Sequence, residues 1–437
     1  MGHTVANWQV TAAVIVFLIT YAIIISEKIN RAVIALLGAV AMLVLQIVDV
    51  HMAFTTYIEW NTLFLLVGMM ILVGITNKSG IFSYAAVKAA QRAKGHPKRI
   101  MLIMFLLTAV GSAFLDNVTT VLLMVPITFS ITRMLKINPV PFLIAEVIAS
   151  NVGGTATLIG DPPNIMIGSA NKHLTFNMFL THLAPIVFVI AIVIIGCLLF
   201  IYRKQLHVSD EQRQALMELS AASYITDAKL VKKSLTVLIF TILGFALHSV
   251  IHVEAAVVAM AGATILMLIG LKNEEELEEA LHQVEWVTIL FFIGLFILVG
   301  GLIQVGVINR LAELTLGLTN GDMTKTSMLV LWVSGIASAT IDNIPFVATM
   351  IPLLQDIGTQ MGITDPNQLN PLWWSLALGA CLGGNGTLIG ASANVIVAGM
   401  AQREGHGFSY MDFLKIGAPI TIISLLISTG YILLFIL

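Results

Sequence analysis

The stretch SAFLDNVTTVLLMVP, residues 112–126, sets Asp116 in the middle of an apolar run, and SATIDNIPFVATMIP, residues 338–352, does the same with Asp342. Each aspartate is followed by an asparagine, Asn117 or Asn343, and ten residues on by a proline, Pro126 or Pro352. A carboxylate at the centre of a bilayer costs about 3 kcal/mol on insertion scales, so a chain that spends this twice at matched places points to a function for it.

The rest of the chain says that these runs do lie in hydrocarbon. Of its 437 residues, 58% are hydrophobic and only 11% are charged, against about 25% charged in soluble domains. A soluble core could not hide that much apolar surface, so the fold class is an all-α polytopic membrane protein. The net charge of −2 supplies no basic field for nucleic acid. Cys197 and Cys381 lack any CxxC partner and read as small buried apolar side chains, with neither a disulfide framework nor a zinc site. The start, MGHTVANWQ, has no basic region and no small-residue cleavage site, so the run from Val10 to Ser26 reads as a retained span rather than a signal peptide.

A span needs about 20 apolar residues. The pattern predicts ten, at 8–26, 32–50, 61–77, 142–169, 178–202, 234–250, 255–271, 286–304, 373–399 and 413–436. The two aspartate-bearing segments, 99–135 and 326–361, are long, interrupted apolar stretches and read as re-entrant helical hairpins. With both termini outside the cell membrane, all of the 22 Lys and Arg residues except Lys172, Arg310 and Lys325 fall on the cytoplasmic side, as the positive-inside bias demands. Arg31 is counted among those cytoplasmic cations. The polar stretch 203–233 becomes a cytoplasmic linker between a first half, 1–202, and a second, 234–437.

The halves match each other. EWNTLFLLVGMMILVGITNKSGIF from Glu59 aligns with EWVTILFFIGLFILVGGLIQVGVI from Glu285. Asp116 aligns with Asp342, GGTATLIGDPPN (153–164) with GGNGTLIGASAN (383–394), and FLTHLAP (179–185) with FLKIGAP (413–419), at a nearly constant offset. Five spans and one hairpin per half make an odd number of crossings, so the second copy is upside down relative to the first. Such inverted-topology repeats are a signature of secondary transporters. Both hairpin tips are expected to meet near the midplane.

Inside a span, GGTATLIGDPPN cannot continue a lipid-exposed helix. Broken helices survive at membrane depth only where protein or a watery cavity satisfies the freed backbone, and their ends offer carbonyls to cations and N-termini to anions. The candidate substrate and ion site therefore combines the tips, Asp116, Asn117 and Thr119 with Asp342 and Asn343, and the two breaks. The first break contributes Asn151, Gly153, Gly154, Thr155, Thr157, Asp161 and Asn164, and the second contributes Gly383, Gly384, Asn385, Thr387 and Asn394. Oxygen-rich, thiol-free groups suit hard ions or protons, with Na+ a candidate at Asp116, Asn117, Asp342 and Asn343. The plainer reading is that each Asp-Asn pair caps the second hairpin helix; both readings can hold together. Glu146 reads either as a buried relay or as a group at the cytoplasmic mouth. Glu59 and Glu285, next to Trp60 and Trp286, read as interfacial anchors.

SAFLDNVTT, AEVIASNVGGTATLIGDPPN, IDNIPFVATMIPLL and GGNGTLIGASANVIVAGMA followed by GFSYMDF resemble the ion transporter superfamily, and within it the melanosomal P protein branch often grouped with the arsenite efflux pump. The resemblance covers nearly the whole chain. It implies a homodimer in which a mobile part, here 99–202 and 326–437, moves elevator-fashion against a scaffold, here 1–77 and 234–304, with the segment 79–95 lying flat on the cytoplasmic surface as a link. Dicarboxylate members of the superfamily carry Ser-Asn-Thr at the tips. Here Asp116 and Asp342 stand at the Ser positions, with Val118 and Ile344 at the third, which favours a protonatable or cation-binding tip.

The expected function is secondary active transport of a small ion or oxyanion, arsenite-type or related, coupled to H+ or Na+ and without cofactors. A sodium/proton antiporter is the alternative, and an ion channel of the same fold a further one. LIGDPPN distantly resembles the GxGD motif of intramembrane aspartyl proteases, but Leu158 replaces the first Gly, and the prolines and the repeat fit poorly. No GxxxxGK[ST] loop is present, so ATP-driven pumping would require a separate ATPase subunit.

Overall fold

The computed structural model describes residues 6–26 and 28–437, and of Ala215 only the backbone. None of the described residues lies in a strand. Among the described residues, eight helices are long and apolar enough to cross a membrane; an 18-residue helix rises about 27 Å, close to the thickness of the hydrocarbon layer. Large apolar side chains on the outer faces of these and the shorter apolar helices, Leu18, Leu37, Phe188, Phe240, Val250 and Leu268 among them, stay exposed, as lipid-facing surfaces require.

The two halves share one order of elements. Each opens with a helix pair, Asn7–Ser26 with Arg31–Val44 and Ala228–Ile251 with Ala255–Gly270. A long span follows, Trp60–Lys78 or Trp286–Gln304, and then a shorter helix, Ile81–Arg92 or Val307–Thr319. Next comes the hairpin, Pro97–Leu115 with Asn117–Met134 or Met323–Thr340 with Asn343–Gln360. A broken span is next, Val140–Gly154 with Pro162–Ala170 or Asn370–Gly383 with Ser392–Arg403, and the half closes on Ala184–Ile201 or Tyr410–Tyr431.

Packing exchanges elements between the halves. Trp60–Lys78 lies along Ala255–Gly270 of the second half, and Trp286–Gln304 lies along Arg31–Val44 of the first. Matched glycines make both crossings close. A Cβ on Gly68 would stand 2.7 Å from the Ala259 carbonyl carbon, and one on Gly294 would stand 2.6 Å from that of Ala35. Without a hydrophobic driving force between helices in lipid, close backbone contact at small residues is what holds spans together.

Two expectations need correction, and one helix lies outside them. The linker ends earlier than residue 233, because Asp227 caps the Ala228 helix through the amides of Lys229 and Leu230. Its surface helix forms at Asp210–Met217 behind a Ser209–Gln212 capping box. The helix Val307–Thr319 was not anticipated. It matches the expected surface helix Ile81–Arg92, buries Ile308 and Ala312, and exposes Leu311, Leu314 and Leu318. The helical spacing of those apolar residues is legible in the sequence, but Glu313 and the short length mask it. Finally, Arg31 is not a free cation: its guanidinium is held by a hairpin tip, and its helix, Arg31–Val44, ends short of the span expected at 32–50.

Candidate functional site

Each hairpin turns on its aspartate. Asp116 adopts φ +70° with ψ 157°, a positive-φ extended conformation almost confined to glycine, and its carboxylate accepts from the amide of Thr119 at 2.9 Å and the hydroxyl of Thr119 at 2.6 Å. Asp342 accepts from the amide of Ile344 at 3.1 Å. Both aspartates therefore cap the second arm, as the plainer reading expects. They differ in their remaining partners. Among the described residues the Asp116 carboxylate is held only within its own turn, by Thr119 and the neighbouring backbone, whereas Asp342 Oδ2 accepts from Arg31 Nη1 at 2.7 Å and Ser392 Oγ at 2.8 Å.

The breaks sit directly beneath the tips, and their side chains fall into two groups. One group holds the unwound backbone. Asn164 Nδ2 donates to the carbonyls of Thr157 at 2.8 Å and Thr155 at 3.1 Å, with Gly154 at 3.4 Å. Asn394 Nδ2 does the same for Gly384 at 2.7 Å and Thr387 at 2.9 Å. Thr157 and Thr387 donate to Ala113 and Ala339 on the first hairpin arms, and Thr155 donates to its own helix at Asn151. Gly153 and Gly383 let the arms approach: a Cβ there would meet the carbonyl oxygens of Ala109 at 2.0 Å and Gly335 at 2.5 Å. Gly154 and Gly384 pack on the backbone of Gly160 and Gly390. This is how the freed polar groups of an interrupted span are satisfied inside protein.

The other group forms a central network. Asn117 Nδ2 donates to Asn151 Oδ1 and to Asp161 Oδ1, both at 3.2 Å. Asn151 Nδ2 in turn donates to Asn385 Oδ1 and Asn394 Oδ1, both at 2.9 Å, so the two halves are joined at their breaks. Cys381, the counterpart of Asn151, lies 3.5 Å from Asn164 Oδ1. Its burial matches the reading from sequence, while its place in the network was not foreseen.

Residues of both tips, Asn117 and Val118 with Asn343 and Ile344, line one small cavity of about 20 Å³, together with Asp116, Asp161, Arg31, Glu285, Thr288 and Ser392. That is room for roughly one water or one bare ion. Three buried side-chain atoms of its lining, Asn117 Oδ1, Asp161 Oδ2 and Asn343 Nδ2, make no hydrogen bond within 3.5 Å among the described residues, with the Cys381 and Asn343 side chains beside the Asp161 carboxyl. Buried polar groups are nearly always paired, so orphans converging on one cavity mark a place for a ligand. A second cavity of about 350 Å³, lined by Ile24, Lys28, Asn30, Ile341 and Asp342 among others, shares Arg31 and Ser392 with the first. Among the described residues, no three His, Cys, Asp or Glu side chains converge tightly enough for a metal cluster, so any cation here would lean on amide, hydroxyl and water oxygens.

Arg31, Ser392 and Glu285 were missed from sequence. Trp60 and Trp286 are exposed as anchors should be, but Glu285 faces the tip cavity and accepts from Thr288. Glu59 lines a separate cavity of about 500 Å³ with Tyr57, Asn309 and Asp356. Glu146 is fully buried and accepts from Thr128 on the hairpin, away from the tip cavity. The upside-down alignment could have raised Ser392, which stands opposite Pro162; nothing local to Arg31 could have raised it.

The citrate transporter family profile matches residues 21–379, most of the chain. The chain belongs to that family. It is a polytopic membrane transporter, not an enzyme, and sits within the ion transporter superfamily that the tip and break motifs resemble. An uncharacterized transporter of Mycobacterium tuberculosis is 44% identical over 424 residues, covering 96% of this chain and 97% of its own. The P protein of Homo sapiens is 36% identical over 506 residues, covering 97% of this chain and 60% of its own. Among solved structures, the YdaH transporter of Alcanivorax borkumensis shares the fold at TM-score 0.60 and 15% identity, covering 98% of both chains. MtrF of Neisseria gonorrhoeae, described as one of a class of antimetabolite efflux pumps, does so at 0.57 and 14%, covering 99% of this chain and 96% of its own.

Proposed function

We propose that this transporter is a secondary active carrier whose coupling cation, H+ or Na+, binds where the two hairpin tips meet, and whose mobile part, the hairpins with their broken spans, moves elevator-fashion against the scaffold. The observation that carries the reading is the tip cavity: a space of about 20 Å³ lined by Asp116, Asn117 and Asp161, the last two each with a buried oxygen that makes no hydrogen bond within 3.5 Å among the described residues. Unpartnered oxygens and carboxylates suit a small cation, whereas a multiply charged carboxylate such as citrate would meet Asp116, Asp161 and Glu285 in a medium of low dielectric. This favours a small ion as cargo. On charge grounds a neutral or singly charged oxyacid of the arsenite type is the cargo proposed, and exchange of Na+ for H+ at the same acids is the second reading. Outward-facing termini and a homodimer formed through the scaffold helices complete the proposal.

The test is ion-driven flux by the full chain in liposomes under imposed sodium and pH gradients. Asp116→Asn and Asp342→Asn keep an N-cap of equal quality, so both variants should fold, and both should lose coupling. Wild-type coupled flux in the two variants would overturn the assignment, and gradient-independent flux at channel rates would overturn carrier function. Unfolding midpoints measured with arsenite, citrate, sodium or lithium then rank the cargoes, since only a ligand of the native state raises the midpoint.

A further inference from the structure

The second tip already holds a cation, and the protein supplies it. Arg31 comes from the scaffold helix Arg31–Val44, whereas its partners Asp342 and Ser392 come from the hairpin and the broken span. Nη1 donates to Asp342 Oδ2 at 2.7 Å and to Ser392 Oγ at 2.6 Å, and Nη2 reaches Thr288 Oγ1 at 3.4 Å. The guanidinium carbon lies 5.0 Å from the centre of the Phe291 ring, so the stem and charge are both fixed. Ser392 completes a triangle by donating to the same Asp342 oxygen. Arg31 and Ser392 form the common wall of the tip cavity and the larger cavity beside it. Among the described residues the first tip has no such cationic partner: the residue matching Arg31 in the second half is Ala255, and the Asp116 carboxylate is held within its own turn, by Thr119 and the neighbouring backbone.

We propose that Arg31 is a tethered counter-ion that competes with the coupling cation for Asp342, so that a cation binds at the second tip only as the guanidinium leaves. The inference rests on the cation-coupled reading above. It adds an order of events: while Arg31 holds Asp342, the scaffold is bonded to the mobile part and the two cavities stay separate. Cation arrival at Asp342 breaks that bond, joins the cavities and frees the mobile part. The two tips thereby differ in role, with Asp116 open to a cation and Asp342 guarded. Arg31 acts through Asp342 and is a positioning residue. The charged groups facing this place are Arg31 and Lys28 from the scaffold, Asp116 from the first tip, Asp161 from the first break and Glu285 from the start of the Trp286 helix.

The experiment follows the unfolding midpoint of the purified full chain by tryptophan fluorescence. Sodium chloride is titrated against choline chloride at constant ionic strength, at about pH 6 and pH 8. One adjacent opposite charge changes a carboxylate's affinity for a cation by roughly tenfold or more. In R31Q the half-stabilising sodium or proton concentration should therefore fall at least about tenfold. R31K should lie between R31Q and the wild type, and R31Q/D342N should lose the gain. If R31Q alone fails to fold, R31K and the double variant, which carries no unpaired carboxylate, still give the comparison. An R31Q or R31K response equal to wild type, with D342N losing it, overturns the counter-ion role and leaves the cation site standing. Absence of any sodium or proton response in every variant overturns both.

Discussion

Gly153 offers the sharpest test of how the site is held. A methyl group there would stand 2.0 Å from the carbonyl oxygen of Ala109, 2.6 Å from its carbonyl carbon and 2.6 Å from its Cα. All three atoms belong to the backbone of the first hairpin arm, so no side-chain rotation relieves the clash. Reaching even a tight contact of 3.0 Å requires the arm to move by about 1 Å relative to the broken span. Overpacking of this kind costs about 1–3 kcal/mol, and the displacement runs toward Asp116 and Asn117, which follow directly on that arm. A shift of about 1 Å at positioned groups can cost roughly a hundredfold in rate. Gly153→Ala is therefore expected to lower the unfolding midpoint in detergent and to reduce coupled flux far more than the stability loss alone explains. Gly196→Ala is the matched control. That glycine sits in Ala184–Ile201, and a methyl group on it would have nothing within 4 Å. Alanine there should be neutral or stabilise by up to about 1 kcal/mol through helix propensity. Wild-type melting and flux in Gly153→Ala, or equal losses in both variants, would refute the close-approach argument.

Two further outcomes follow from the geometry. Asn164→Ala leaves the carbonyls of Thr155 and Thr157 buried without their donor, at about 1–3 kcal/mol each. It should destabilise more than any tip substitution and open the break to limited proteolysis, and protease resistance equal to wild type would count against the clamp. Outside the membrane, the amide of Leu230 leads in holding the Asp227 carboxyl below its ordinary value, with the amide of Lys229 and the Lys272 ammonium adding to it. A depressed carboxylate contributes stability that is present above the unfolded value near pH 4 and disappears as pH falls through the folded one. Asp227→Ala should therefore melt lower than wild type at neutral pH and approach it under acid, and a gap that does not depend on pH would refute the capping role.

Much of this protein was legible without coordinates, because its solvent dictates its pattern. In hydrocarbon the backbone must satisfy itself, so long apolar runs become helices. Interruptions such as GGTATLIGDPPN, with two prolines and four polar side chains among its residues, can only be buried breaks. Duplication made the rest readable: Asp116 and Asp342, or Gly153 and Gly383, support each other's assignment in a way that a single occurrence could not. Even the close crossings at Gly68 and Gly294 keep the repeat offset.

What tertiary structure decided is which of the polar residues are free. By type alone Asn117, Asn151, Asn164 and Asn394 are equivalent, yet Asn164 and Asn394 spend their amides on unwound carbonyls, while Asn117 lines the tip cavity with its oxygen unpaired among the described residues. Arg31 lies 311 positions from Asp342 and counts, in any linear reading, as one more cytoplasmic charge. Helix length and the exchange of spans between halves bring it to the second tip. Periodicity and composition are local properties, written by the solvent along the chain, whereas hydrogen-bond partners across two interleaved halves depend on distances that no local pattern encodes.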